Sequence, residues 1–195
     1  LADTEPEDVS LLVAVRTAVE RGGNAVLTCG PHRQENFART TALLDQMGLN
    51  IVDSRITPLD GGLGLDTYLV LEDTGMPIAD RQRAHQIEQQ LRRVLLSPAA
   101  ELPVVTRRAP RQVRMFTTPT QITFTEDPLQ NRTVLEIIAG DRPGLLSEIG
   151  RVFLAEQIDV NTAKIMTIGE RAEDVFYITN ASGGALTEEA RERLR

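Results

Sequence analysis

Apolar positions along this chain switch several times between a helical period and a two-residue alternation. After an acidic start comes EDVSLLVAVRTAVER (residues 7–21), where Leu11, Leu12, Val15 and Val19 recur at helical spacing behind Asp8 or Ser10 as a cap. This predicts a helix stopped by Gly22 and Gly23. NAVLTCG (24–30) reads as a short strand. ENFARTTALLDQMG (35–48) returns to the helical period, with Phe37, Thr41, Leu44 and Met47 on one side and Gly48 as its stop. NIVDSRITPL (50–59), the turn Asp60-Gly61-Gly62 and LGLDTYLVLED (63–73) predict a hairpin. From residue 79 to residue 96, Ile87, Leu91, Val94 and Leu95 mark another helix.

The same order then returns. TQITFTE (120–126), a turn DPLQN and RTVLEIIAG (132–140) predict two strands; a helix follows over 143–157. Strands DVNTAKIMTIG (159–169) and AEDVFYITN (172–180) flank a turn at Gly169 and Glu170, Gly183-Gly184 breaks the chain, and a last helix opens at Thr187. Arg33 and Arg142, Phe37 and Leu146, Ile51 and Val160, and Ile56 and Ile165 all share one offset in register. A single residue is lost in the hairpin, after which Asp66-Thr67-Tyr68 faces Asp174-Val175-Phe176. A repeated element order with one indel predicts an α+β fold of two ferredoxin-like βαββαβ modules, with antiparallel sheets and helices on one face. The boundaries follow: a helical lead-in over 1–23, a first module over 24–102, a Pro/Arg-rich linker over 103–119, and a second module over 120–195. The second module is expected to be cut short at its last helix, and its leading strand is open to pairing with the first module. The sheets are expected to abut, leaving a pocket where a loop of one module faces a strand of the other.

Composition narrows the classes. With 195 residues, 41% of them hydrophobic, the chain can bury two small cores. No apolar run approaches the ~20 residues that span a bilayer, and the start LADTEPEDVS has no signal-peptide pattern. No membrane role and a cytoplasmic location are therefore expected. Leu1 stands where an initiator methionine would, so a piece of a longer protein is expected. One cysteine, Cys29, excludes an internal disulfide and reads as a buried strand residue; two histidines, His32 and His85, argue against zinc. A formal charge of −7 gives no general footprint for nucleic acid. The arginines of TRRAPRQVR (106–114) read first as a solvated linker and second as a contact for an acidic partner.

The chemistry concentrates in AGDRPGLLSEIG (139–150). Pro143 suits the first helical position, where its missing N–H costs nothing, and it holds Arg142 extended. Gly144 lets another group approach the backbone. The amides of Gly144, Leu145 and Leu146 then point outward with the positive end of the helix dipole behind them, a receptor for a carboxylate. Asp141 can hold a ligand's ammonium group, or it can simply cap the helix. Asn161, early in the next strand, can donate and accept together, as a ligand contact or as a structural turn amide. Glu173 and Asp174 point to opposite faces of their strand and cannot act as an acid/base dyad, and Arg171 beside them reads as a surface or interface charge. Leu145, Ile149 and Val152 share a helix face and read as core, as do Ile87, Leu91 and Val94. No catalytic residue and no metal site are predicted.

With the strand, the DRPGLL loop, the helix, Asn161 and the hairpin in place, the second module resembles an ACT domain, a small-molecule regulatory module of amino-acid metabolism. TQITF, TVLEIIAGDRPGLLSEIGRVF and KIMTIGERAEDVFYITN, preceded by SRITPLDGGLGLDTYLVLED, resemble the tandem ACT region of the bacterial PII uridylyltransferase/uridylyl-removing enzyme family along nearly the whole chain. The resemblance implies a sensor, with glutamine as effector, bound at Asp141, Arg142, Pro143, Gly144, Leu145, Leu146 and Asn161. It also implies partners: the catalytic domains of a parent chain, which would use magnesium and UTP, and the PII protein as the parent's substrate. A homodimer stays open. In the first module HRQENF stands where DRPGLL stands in the second. His32, Arg33, Gln34 and Glu35 are therefore read as a degraded second site, Glu35 repelling a carboxylate and crowding the backbone. An ACT-repeat sensor of another amino acid, and a structural docking module for a protein partner, are the rival readings. An RNA-binding module is disfavoured by the acidic charge and the lack of paired strand aromatics.

Overall fold

The computed structural model describes residues 11–97, 119–169 and 171–195, so the linker arginines of 106–114 lie outside the described residues. Within it, Leu12–Ala18 is a strand, β1, and not the predicted lead-in helix. The spacing of Leu11, Leu12 and Val15 suits a helix, but Val13 and Val15 are the buried pair, while Leu12 is 54% exposed. A two-residue alternation of β-branched side chains prevails once a partner strand is present. β1 pairs with β2 (Gly23–Pro31) from Leu12 opposite Cys29 to Ala18 opposite Gly23. Its outer edge is also served: the Val15 amide donates to Glu88 Oε1 at 2.8 Å and Arg92 donates to the Val13 carbonyl at 3.2 Å. Backbone groups that would otherwise be open to pairing are thereby satisfied by a helix.

The first module continues with α1 (Glu35–Gln46), β3 (Leu49–Leu59), β4 (Leu63–Glu72) and α2 (Arg81–Leu96). The second contains β5 (Gln121–Asp127), β6 (Arg132–Gly140), α3 (Leu145–Ala155), β7 (Asp159–Lys164), a short β8 (Thr167–Ile168), β9 (Arg171–Thr179) and α4 (Glu188–Arg193). The sheets run β1-β2-β4-β3 and β5-β6-β9-β7, with β8 on β9, and all pairings are antiparallel. Each module is thus ββαββα. The edge strand that βαββαβ would supply last comes first, and β5 pairs within its own module, not with the other.

The repeat extends to small features. A β-bulge in β3 skips Val52 and one in β7 skips Asn161, at corresponding positions. Asn24 ties down the loop before α2 by exchanging hydrogen bonds with the backbone of Ile78; Thr133 accepts from the Leu186 amide at the equivalent place. Cys29, expected to be buried, is half-buried and free. Ile87 and Leu91 are fully buried, whereas Val152, expected in the core, is 44% exposed; Ser147, Gly150 and Phe153 form the buried face of α3.

The two modules share a core. Helix α1 packs on α3 and edge strand β3 runs beside edge strand β7. Gly150 lies where the helices meet; a Cβ there would come within 2.8 Å of Ala38 Cα. Phe176 of β9 takes Phe37 of the first module and Phe153 edge-on, with centroids 5.8 and 5.2 Å away. Both contacts are of the favourable T-shaped kind. No described helix is long and apolar enough to cross a membrane.

Candidate effector site between the modules

Proline and glycine stand together in the DRPGLL loop because the chain turns there before the helix begins. The Leu145 amide donates to the Arg142 carbonyl at 3.2 Å, and Gly144 has φ 83° and ψ −3°. This is the type II pattern, with proline at the second turn position and a left-handed glycine at the third. Helix α3 starts at Leu145, so Pro143 precedes it and does not occupy its first position. The turn also consumes the Leu145 amide, which the sequence reading counted as available. The amides of Gly144, Leu146 and Ser147 take no backbone acceptor, and they carry the positive end of the α3 dipole. In the first module the equivalent turn, closed by Asn36 N donating to the Arg33 carbonyl at 2.9 Å, has Gln34 in helical conformation and runs straight into α1.

The DRPGLL loop faces the other module across a cavity of about 320 Å³, within the range of small-ligand sites. Residues 141–147, Ile165, Ala172 and Asp174 line it from the second module; Thr41, Asp45, residues 49–52, Leu71 and Asp73 line it from the first. Arg142 pairs its guanidinium with Glu148, one contact being 2.9 Å to Oε1, and the pair lies on the exposed rim. Each partner perturbs the other: Arg142 is held above its ordinary value and Glu148 below, the mutual hydrogen bond being the main cause.

Two carboxylates line the cavity, Asp141 half-buried and Asp174 fully buried. Burial raises the Asp141 carboxyl, opposed by the Arg142 backbone. Asp174 is 2% exposed, and neither of its oxygens has a hydrogen-bond partner among the described residues. Burial pushes it up to about 7, with the Asp141 charge adding to the shift; the Met166 backbone opposes it without reaching hydrogen-bond geometry. Sequence reading missed this residue. Glu173 and Asp174 face opposite ways on β9, and the signal for Asp174 is the alternation Ala172, Asp174, Phe176, Ile178. That row places a carboxylate on the buried face of the strand. The contribution of residues 49–52 was also missed, because it depends on how the modules dock.

Asn161 does not line this cavity. Its Nδ2 lies 3.4 Å from Thr179 Oγ1, and its Oδ1 is buried without a partner. The repeat explains the placement. The second loop faces the start of β3, so by correspondence the first loop faces the start of β7, where Asn161 sits. There His32 Nε2 lies 3.2 Å from Asp159 Oδ1, and the His32 amide donates to the Gly62 carbonyl at 2.8 Å. Arg33 is exposed at the turn, while Gln34 precedes α1 and Glu35 is its first residue. Among the described residues no group of three or more His, Cys, Asp or Glu side chains is arranged to hold a metal ion.

Residues 133–195 match the model of the ACT domain family. The match lies within the second module and takes in the DRPGLL loop. Along 94% of its length the chain is similar to proteins named bifunctional uridylyltransferase/uridylyl-removing enzyme. It is 40% identical over 187 residues to that of Stutzerimonas stutzeri and 41% identical over 188 residues to that of Pseudomonas entomophila. It spans about a fifth of those relatives, 21% in each case. A crystal structure of aspartate kinase from Synechocystis aligns over 89% of this chain and 26% of its own, with a TM-score of 0.44 and 15% identity. The DRPGLL loop at 141–146 and the first module's strand at 49–52 form the two walls of the cavity.

Proposed function

We propose that this chain is the amino-acid-sensing region of a cytoplasmic bifunctional uridylyltransferase/uridylyl-removing enzyme acting on the PII nitrogen-signalling protein, and that its effector is glutamine. The observation that carries the reading is the pairing of opposite electrostatic features in one cavity. Free amides at the start of α3 suit an α-carboxylate, and the half-buried Asp141 and the buried Asp174 suit an ammonium group. A zwitterion satisfies both at once; a simple anion or cation satisfies one. The enzyme's activity and the identity of its protein substrate come to this chain through the relatives' name and the motif resemblance.

The mechanism of sensing is a population shift. Both walls of the cavity belong to different modules, so a ligand between them stabilises one relative arrangement of α1 against α3 and β3 against β7. Only an effector that binds one arrangement better than another can signal to catalytic domains. Calorimetric titration of the 195-residue chain with a panel of amino acids tests this. L-Glutamine is expected to bind with one site per chain. Gly144→Val is expected to abolish binding, because a side chain at φ 83° costs about 1–2 kcal/mol and displaces the turn that sets the amides. No heat from any amino acid with a folded wild-type sample overturns the reading; tight binding of a different amino acid keeps the site and replaces glutamine.

A further inference from the structure

The repeat supplies an internal comparison for the cavity. Asp174 stands opposite Ile137 in the β6–β9 pairing, and Asp66 stands opposite Thr28 in the β2–β4 pairing. Allowing for the one-residue loss in the hairpin, these are the same position. Both carboxylates are almost fully buried, 2% and 5% exposed, and each has orphaned oxygen: both oxygens of Asp174 and Oδ1 of Asp66. Their surroundings differ in one respect. Burial raises the Asp66 carboxyl to about 6 and the charge of the nearby His32 imidazole opposes that rise, while the same imidazole reaches across the boundary to Asp159. Gly64 leaves the room it needs, since a Cβ there would meet His32 Nδ1 at 3.0 Å. In the second module the residue corresponding to His32 is Asp141, so among the described residues the equivalent space beside Asp174 holds no side-chain cation, and it opens into the cavity.

We infer that Asp174 is the specificity-determining receptor for the amino group of the effector, and that His32 occupies the corresponding receptor at Asp66 as the chain's own cation. The inference rests on the reading of the cavity as an amino-acid site. A buried carboxylate with no partner is costly, and the arrangement that relieves it is a hydrogen-bonding cation. The first module carries its cation covalently: His32 acts on Asp66 through its charge while its hydrogen bond goes to Asp159. The second leaves the place to a ligand, with Asp141 beside it and the free α3 amides available for the opposite charge. One open receptor and one filled receptor give one effector per chain. The ligand class is a primary α-amine; N-acylated or deaminated analogues lack the group that Asp174 reads.

The test uses the 195-residue chain with [13C]aspartate, following the Asp174 carboxyl resonance by NMR. Methylammonium chloride is expected to shift it saturably, whereas tetramethylammonium chloride, which cannot donate a hydrogen bond, leaves it in place. L-Glutamine is expected to shift the same resonance, and N-acetyl-L-glutamine is not. In Asp174→Asn the affinity for L-glutamine is expected to fall about tenfold or more, with a melting temperature equal to or above that of wild type because a buried charge is gone. An Asp174 resonance that treats the two ammonium salts alike overturns the inference, as does wild-type affinity for glutamine in a folded Asp174→Asn. A response to methylammonium without binding of any amino acid overturns the amino-acid reading and leaves Asp174 as an amine receptor.

Discussion

His32 of the first module and Asp159 of the second meet across the module boundary, with Nε2 3.2 Å from Oδ1 and 3.3 Å from Oδ2. The hydrogen bond to Asp159 is the main reason the imidazole is held above its ordinary value of 6.5, with the charges of Asp159 and Asp66 adding and burial opposing. A group whose folded-state pKa is raised binds its proton more tightly when folded. Its contribution is complete below the unfolded value and is lost as pH rises through the folded one. Stability is therefore expected to decline from pH 6 toward pH 8.5. The raised carboxyls of Asp66, about 6, and Asp174, about 7, slope the same way, so the informative quantity is a difference between variants. His32→Gln is expected to cost about 0.5–1 kcal/mol at pH 6, discounted for the part-exposed Asp159, and little at pH 8.5. Urea denaturation of both proteins across that range measures it; equal differences at both ends would show that His32 acts by shape alone.

The close approach of α1 and α3 depends on Gly150. A Cβ at this position would lie 2.8 Å from Ala38 Cα and 3.0 Å from its Cβ, and both of those atoms are fixed to the backbone of α1. Gly150→Val is expected to separate the helices and destabilise the chain by about 1–3 kcal/mol. The helix preference that a non-glycine residue normally brings offsets only a part of this. Because the cavity lies on the same boundary, amino-acid affinity is expected to fall in a sample that remains folded. Chemical denaturation and calorimetry on one preparation distinguish the two effects, and wild-type stability would show that the helices have slack.

Local pattern was a good guide wherever one partner was enough to determine the element. Helices α1 and α2 and the two hairpins form where the periodicity of residues 35–48, 79–96 and the strand runs put them. It failed at residues 12–18, where Leu11, Leu12 and Val15 fit a helix and the choice was made by a distant strand and by Glu88 and Arg92 from α2. The order ββαββα followed from that single reversal. At the site, the loop at 141–147 was legible because proline and glycine have direct backbone consequences. The placement of Asn161 was not, because it lies beside the loop of the other module. Asp174 is legible only as an inward-facing carboxylate in an otherwise apolar row. Such a group needs a partner, and nothing nearby in sequence supplies one.

Binding of an α-amino acid is expected to be linked to proton release. Burial and the neighbouring Asp141 charge place the Asp174 carboxyl at about 7, and Asp141 is itself raised by burial. A ligand ammonium favours the ionised form of both, so at pH 6 a proton must leave before the amine is received, and at pH 8 it has already left. Affinity for L-glutamine is therefore expected to rise between pH 6 and pH 8, with the gain flattening above Asp174's own value. The other charged groups facing this space are Asp45 from α1, Asp73 beyond β4 and Arg142, whose charge is engaged by Glu148. His32 lies at the other loop and titrates the module boundary, so its part is removed by repeating the series in His32→Gln. Calorimetry in two buffers of different ionisation enthalpy counts the protons directly: near pH 6.5 a net release is expected in wild type and is lost in Asp174→Asn. An affinity that is flat from pH 6 to pH 8, with the same heat in both buffers, would mean that the amine does not meet a protonated carboxyl in this cavity.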